Sequence, residues 1–414
     1  MKIVIIVGAG AGQIPMIRLC KEKDAYVIVI GPEGDYPGFA LADKVYYKDT
    51  RDKESILEIA REEGIDAIFT DQTDVAVPSV AYVADKLGLK GIGYDTSLKF
   101  TDKYVMRKAA KGIGVCVPQF ELIRSEEEAV EKSKQLMFPI IMKPTNSCGS
   151  RGICKIFEFD ENEIREAFRR SSAFSSNHET IMEEFIEGEE FIADGFALDH
   201  KYINLDLGIK QYFAKADTYI SKMCMFSSAD LIEEEKEKKV LEANKKLVEG
   251  LGLEFGITHG EYIYCPKDQN VYLVEIAARG GGVYLSSHLT PKASGVNTNE
   301  MLVDFLLNGT VVDLSGIRLD KKVAAWRCFE LEEGEIVSIE NADKLIDIDG
   351  VDKVCLDDLY VGKHVDKLTD DTKKHGPILV SGNDRQTCFD ILKKVENTLK
   401  VTVSHNGHVS GIIW

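Results

Sequence analysis

The sequence has no apolar stretch approaching the ~20 residues that a membrane-spanning helix needs. It has no CxxC pair and no repeat or low-complexity segment, and only two tryptophans. The first absence excludes a helical membrane protein. The nine cysteines are odd in number and scattered, which fits reduced, partly buried thiols in a cytoplasmic protein rather than a disulfide framework. Net positive charge is also lacking: the formal charge is −18. A nucleic-acid surface needs clustered lysine and arginine to neutralise phosphates, so nucleic acid is excluded as a partner. A nucleotide is not, because one local basic pocket can hold it inside an acidic protein.

The 414 residues, 44% of them hydrophobic, exceed what one core holds and predict two or three domains. The apolar run at 3–7 is too short for a signal peptide and passes directly into Gly8-Ala9-Gly10-Ala11-Gly12, so it reads as a buried first strand. Strands at 3–7, 26–30 and 67–70 alternate with helices at 13–23, 53–63 and 79–87. That predicts a parallel sheet in an N-terminal α/β domain, residues 1–97. The glycine turn is not a dinucleotide fingerprint, because Gln13 stands where GxGxxG requires its third glycine. A second domain of mixed α+β type, 98–314, begins with Asp102-Lys103 and a helix to 111. Strands at 122–124, 139–143 and 153–159, helices at 126–136 and 161–168, and loops at 145–152 and 171–177 follow. Strands dominate 180–220 and 256–276 around a charged helix at 231–249. A small mixed C-terminal lobe, 315–414, carries strands at 323–331, 354–356, 378–382 and 401–404 and a helix at 385–398.

Three segments carry chemistry. Lys143 ends an apolar strand before the small-residue loop Thr145-Asn146-Ser147-Cys148-Gly149-Ser150-Arg151-Gly152. A fixed ammonium beside flexible backbone N–H groups suits polyphosphate, although GKS/T is missing and an ordinary hairpin reads the same way. Glu183-Glu184-Phe185-Ile186 to Glu190 is a strand opening into an acidic linker, able to meet a base edge and ribose hydroxyls or simply to face water. The third segment is the most informative. His259 and Glu261 share one face of a strand, and Glu275 lies on the next strand after a turn at 266–270. Adjacent strands lie ~5 Å apart, so both carboxylates reach one cation, for which Mg²⁺ is the natural oxygen-liganded choice. Two edge carboxylates facing water remain the plainer alternative. Arg279 precedes Gly280-Gly281-Gly282 and is placed to neutralise a transferring phosphoryl group. Asp71, Asp74 and His288 read equally as substrate contacts or loop caps.

Taken in order, Lys103, Lys143, the glycine loop, Glu183-Glu184-Phe185-Ile186, Glu261 and Glu275-x-x-x-Arg279 resemble the ATP-grasp superfamily over nearly the whole chain. Within it they resemble the branch of biotin carboxylase, phosphoribosyl-glycinamide ligase and amino-acid ligases. The resemblance implies a pre-ATP-grasp domain, a central grasp domain and a C-terminal lobe. It implies ATP and Mg²⁺, with Mn²⁺ as a substitute, and small-molecule carboxylate and amine substrates joined through an acyl phosphate. A bicarbonate-activating carboxylase, a purine-pathway ligase and a non-catalytic nucleotide-binding subunit are the alternatives, and a homodimer is left open. By position, it implies Lys103 and Lys143 at the phosphates, with Ser147, Gly149, Ser150 and Gly152 closing over them and Lys210 near the γ-phosphate. Glu183, Glu184 and Ile186 would hold adenine and Glu190 ribose. Glu261 and Glu275 would hold the metal, while Arg279 and Lys143 act in catalysis. Two positions depart from the pattern: Ala277 replaces a usual asparagine ligand, and Cys148 a usual serine or glycine.

Overall fold

The computed structural model describes residues 1–147, 149, 151–214, 220–227, 231–369 and 373–414. At the N-terminus β1 (Ile3–Val7), α1 (Ile14–Glu22), β2 (Tyr26–Gly31), β3 (Lys44–Tyr47), α2 (Lys53–Glu63), β4 (Ala67–Phe69) and α3 (Val77–Leu87) follow one another. The strands form a parallel sheet in the order β3-β2-β1-β4. Ile5, Val7, Ile28 and Ile30 pack with Ile56 and Ala60 of α2 and Val83 and Ala84 of α3. α2 keeps its expected bounds because both ends are specified: the Asp52 carboxylate accepts from Ser55 N–H, and Gly64 takes φ 62 to stop it. β3 is absent from the sequence reading. It is an edge strand with no fully buried residue, so it lacks the apolar run that marks β1 and β2.

Next come α4 (Tyr94–Lys99), α5 (Lys103–Ile113), β5 (Phe120–Ile123), α6 (Glu126–Ser133), β6 (Ile140–Pro144), β7 (Cys154–Ile156), α7 (Glu161–Ser172) and β8 (Thr180–Glu184). The four strands make an antiparallel sheet, β5-β8-β6-β7. α6 stops short of residue 136 because the chain tightens into i→i+3 turns at Gln135 and Leu136. Ser171 and Ser172, expected in a loop, are the last residues of α7. β9 (Glu189–Leu198), β10 (Lys201–Tyr212), β11 (Ser221–Ser227), α8 (Glu234–Leu251), β12 (Gly256–Tyr264) and β13 (Val271–Ala277) continue the chain, with β12 antiparallel to both β9 and β13.

After α9 (Thr290–Ser294) and α10 (Thr298–Asn308) come β14 (Val323–Phe329), β15 (Gly334–Glu340), β16 (Val351–Val354), β17 (His364–Val365), β18 (His375–Gly382), α11 (Arg385–Thr398), β19 (Lys400–His405) and β20 (His408–Ser410). The chain divides into two compact units, one of residues 1–205, 238–288 and 297–318, the other of 206–237, 289–296 and 319–414. In the second unit β11, β14, β18 and β16 are neighbours in one sheet and β17-β15-β19-β20 form another. Phe329, Ile336, Leu392, Val395 and Val403 lie in its core.

A buried polar network fastens α8 to the back of β12. Asn244 Nδ2 donates to Tyr202 Oη and to Asn204 Oδ1, both at 2.7 Å, and Asn244 Oδ1 accepts from Tyr262 Oη at 2.8 Å. Tyr202 Oη and Thr258 Oγ1 are 2.7 Å apart. Gly260 is obligatory between them, because a Cβ there would stand 2.7 Å from Asn244 Oδ1. Asn244→Leu removes the acceptor of the buried Tyr262 hydroxyl and one of the partners of Tyr202, and we expect it to lower the unfolding free energy by about 1–3 kcal/mol. A urea midpoint equal to that of the unaltered chain would show that the network contributes nothing.

Candidate active site

The β12–β13 hairpin supplies the centre. Glu261 and Glu275 are direct cross-strand partners, with a register shift just after Glu261, and the connection closes through Cys265 N–H to Asn270 O at 2.9 Å. Two facing carboxylates need cations, and each has one. Lys103 Nζ donates to Glu275 Oε1 at 2.9 Å and to the Ser147 carbonyl at 2.9 Å. Asp102 caps α5 by accepting from Val105 N–H, which puts Lys103 at the first helical position. Burial disfavours the Lys103 ammonium, but Glu275 more than offsets this and holds its pKa above the ordinary value. On the other carboxylate, His259 Nε2 lies 3.5 Å from Glu261 Oε1, while His259 Nδ1 is 2.7 Å from Asp194 Oδ1 on β9, its cross-strand partner. Burial pushes the imidazolium down, yet Asp194 and then Glu261 raise the His259 pKa to about 9.

A second charge cluster is closed to water. Glu183, at the end of β8, is fully buried with Arg107 of α5. Arg107 Nε donates to Glu183 Oε1 at 2.5 Å, and Lys143 Nζ lies 2.7 Å from Glu183 Oε2. Burial would raise the Glu183 carboxyl, but Arg107 and Lys143 together bring it down to about 2. Arg107 Nη2 also donates to the Val274 carbonyl at 2.6 Å, one residue before Glu275.

Arg279, just beyond β13, grips Asp74 in bidentate fashion, Nε to Oδ1 at 2.9 Å and Nη2 to Oδ2 at 2.6 Å. Burial opposes its charge, but Asp74 raises the guanidinium above its ordinary value. Asp71 accepts from Gly280 N–H at 2.9 Å and Ser286 Oγ at 3.2 Å, and burial lifts its carboxyl to about 6. The two aspartates therefore fix the arginine segment. The glycine turn at 8–12 is closed from within: Gln13 Oε1 accepts from Gly10 N–H, and its Nε2 donates to the Asp71 carbonyl.

Of the remaining expected residues, Ser147 is tied through its carbonyl to Lys103. Gly149 and Gly152 both take positive φ, and a Cβ at Gly152 would stand 2.8 Å from the Phe174 ring. Ser150 and Cys148 lie outside the described residues. The 145–147 loop is laced to the 175–177 turn by Asn146 Nδ2 to Ser176 Oγ at 2.9 Å and Ser176 N–H to Asn146 Oδ1 at 3.0 Å. Glu184 Oε1 accepts from Met137 N–H at 2.9 Å, Ile186 lies in the linker after β8, and Glu190 is the second residue of β9, opposite Ile263. Glu183, expected at adenine, has both oxygens engaged by Arg107 and Lys143. Lys210 belongs to the second unit, on β10 opposite Cys224 of β11.

Among the described residues no group of three or more His, Cys, Asp or Glu is arranged to hold a metal. Ala277 pairs with His259 and adds no donor. Glu261 and Glu275 nonetheless suit a hard divalent cation that completes its shell with anionic oxygens. Arg107 and Asp194 escaped the sequence reading because their partners lie 76 and 65 residues away. The one sequence signal for Arg107 was its place four residues after Lys103, on the same helix face.

Residues 136–287 match the ATP-grasp domain family. An alanine–anticapsin ligase of Bacillus subtilis is 26% identical over 319 residues, covering 70% of this chain and 66% of that protein. A second, from Bacillus subtilis strain 168, is 28% identical over 65% of this chain and 60% of its own length. The chain thus spans less than two thirds of these curated relatives. In fold it is similar to an L-amino acid ligase from Bacillus licheniformis, with TM-score 0.81 at 19% identity over 98% of this chain and 99% of that one. It is also similar to a phosphoribosylglycinamide synthetase from Anaerococcus prevotii, with TM-score 0.76 at 22% identity over 97% and 100%.

The charge states give a pH signature. The stability that His259 contributes is complete below its ordinary pKa of 6.5 and is lost as pH rises through about 9. That from Glu183 is complete above 4.5 and is lost as pH falls through about 2. Unfolding free energies across pH are therefore expected to decline on both flanks, with His259→Gln flattening the alkaline one. An alkaline slope unchanged in that variant would refute the His259 assignment.

Proposed function

We infer that this chain belongs to the ATP-grasp superfamily and uses ATP to activate a substrate carboxylate and join it to an amine. One observation carries the reading. Lys103, expected at nucleotide phosphates, is bonded both to Glu275, expected at the metal, and to Ser147 in the glycine loop. Residues implied for three parts of one ATP site thus meet through a single ammonium. The relatives' names, alanine–anticapsin ligase and L-amino acid ligase, support an amino acid as one substrate. We read 1–97 as the pre-ATP-grasp domain, 98–314 as the part holding nucleotide and metal, and 315–414 as a small C-terminal lobe.

Lys103 and Lys143 would neutralise the phosphate oxygens, with Ser147, Gly149, Ser150 and Gly152 closing backbone N–H groups over them. The backbone of Glu184 and Ile186 would meet the adenine edge and Glu190 the ribose, whereas Glu183 acts through Lys143. Glu261 and Glu275 would hold Mg²⁺ or Mn²⁺, which when bound supplies charge for the phosphates. The substrate carboxylate oxygen attacks the γ-phosphorus and ADP leaves. The amine then adds to the acyl carbon, and inorganic phosphate departs as the amide forms. Arg279, held in place by Asp74, offers its remaining N–H donors to the acyl phosphate and its tetrahedral successor. Catalysis here is alignment and charge, with no protein nucleophile. The 145–147 and 175–177 segments, already bonded together, would exclude the water that hydrolyses an acyl phosphate.

We place the protein in the cytoplasm. All described cysteines are free, which supports a reducing compartment, and no described helix is long and apolar enough to cross a membrane. A homodimer fits this reading as well as a monomer.

ADP release with a pool of amino acids, in matched reactions with and without bicarbonate, tests the assignment. We expect release that depends on amino acids and ignores bicarbonate, falling at least ~100-fold in Glu275→Gln and Arg279→Ala while both variants stay folded. Release that requires bicarbonate would indicate a carboxylase. None under any condition would indicate a binding protein, and undiminished turnover in either variant would overturn the residue assignment.

A further inference from the structure

We propose that Arg107 is a positioning residue that fixes the nucleotide lysine, Lys143, and the metal-carboxylate strand, β13, as one charged unit. The proposal rests on the ATP reading above. Lys103 and Arg107 are four residues apart on α5 and so share one helix face. From that face Lys103 holds the Glu275 side chain at 2.9 Å, and Arg107 holds the backbone just before it, Val274 O, at 2.6 Å. The same guanidinium meets both Glu183 oxygens, at 2.5 and 3.4 Å, and Glu183 in turn meets Lys143 at 2.7 Å. One arginine therefore connects β8 and β6, which carry Glu183 and Lys143, to β13, which carries Glu275.

The charges give this chain of contacts a direction. Arg107, Lys143 and Glu183 together bear one surplus positive charge, with Arg107 and Glu183 fully buried and Lys143 nearly so. Two cations on one buried carboxylate are costly as a purely structural device, since a single one would balance it. The surplus becomes favourable when an anion reaches Lys143, as a nucleotide phosphate would. Arg107 meanwhile keeps Glu183 ionised and in place, so the lysine is aimed before the anion arrives. Because Arg107 also holds Val274 O, nucleotide and divalent cation should each favour the same arrangement of β13. Their binding should therefore be reciprocally coupled.

The test measures binding rather than turnover. Affinity for a non-hydrolysable ATP analogue is determined with and without Mn²⁺, beside the thermal midpoint, in the unaltered chain, Arg107→Lys, Arg107→Met and the double variant Arg107→Met/Glu183→Gln. In the unaltered chain Mn²⁺ should tighten analogue binding. Arg107→Met should weaken the analogue by about tenfold or more and shrink the Mn²⁺ effect. The double variant removes both fully buried charges and should recover thermal stability without recovering affinity or coupling. Arg107→Lys keeps the charge but loses the two-sided grip. It should remain folded and still lose the coupling, which keeps the test decisive should the double variant fail to fold. A double variant that regains stability, affinity and coupling together would reduce Arg107 to a structural ion pair and overturn the proposal. Coupling undiminished in Arg107→Lys would do the same. An unaltered chain that binds no analogue would instead bring down the ATP reading beneath it.

Discussion

Glu183 must keep its charge where water does not reach, and the arrangement of the candidate site follows from how it does so. An isolated carboxylate in that position would take up a proton, because desolvation penalises the anion. Arg107 and Lys143 reverse the balance. In doing so they bind a helix and two strands of the central sheet to each other, and Arg107 reaches on to the backbone of β13. Lys143 is thereby fixed at the mouth of the glycine loop with its rotamer settled in advance. Preorganisation of this kind is what a site that works by alignment requires, since its contribution lies in charges already in place when the substrate arrives.

The same logic recurs on the hairpin. Glu261 and Glu275 face each other across β12 and β13, and each has its own cation. Lys103 comes from the first turn of a helix and is tied to the loop that follows β6, whereas His259 shares a strand with Glu261 and is charged by Asp194 on the neighbouring strand. Behind β12 the hydroxyl and amide network around Asn244 leaves the strand little freedom to shift. Arg279 is held just as firmly by Asp74, and Asp71 holds the backbone after it. Charged groups that the proposed chemistry needs are thus each oriented by a second group that the chemistry does not touch.

Much of this was legible in the sequence, for identifiable reasons. α2 and α11 end where expected because Asp52 and Asp384 cap them and their apolar faces keep a helical period. The hairpin was legible because period-two alternation put His259 and Glu261 on one face and a polar turn separated them from Glu275. β3 and β15 were not: β3 is a four-residue edge strand exposed at both ends, and β15 is interrupted by the exposed Glu335 and Val337. The lysines and glutamates of the site could be named, but their mutual pairing could not. Nothing local in the sequence ties Lys103 to Glu275, which is 172 residues away, or Arg107 to Glu183. Glu183 shows the consequence. Its neighbours suggested a base contact, while the fold spends its carboxylate on two cations.

Isotope transfer tests directly whether a substrate carboxylate is activated by phosphorylation. With a pool of amino acids labelled with oxygen-18 in the carboxylate, the inorganic phosphate released should carry one labelled oxygen per turnover. Phosphate released without label, in a reaction that still forms amide and ADP, would mean that no acyl phosphate is made and would contradict the account.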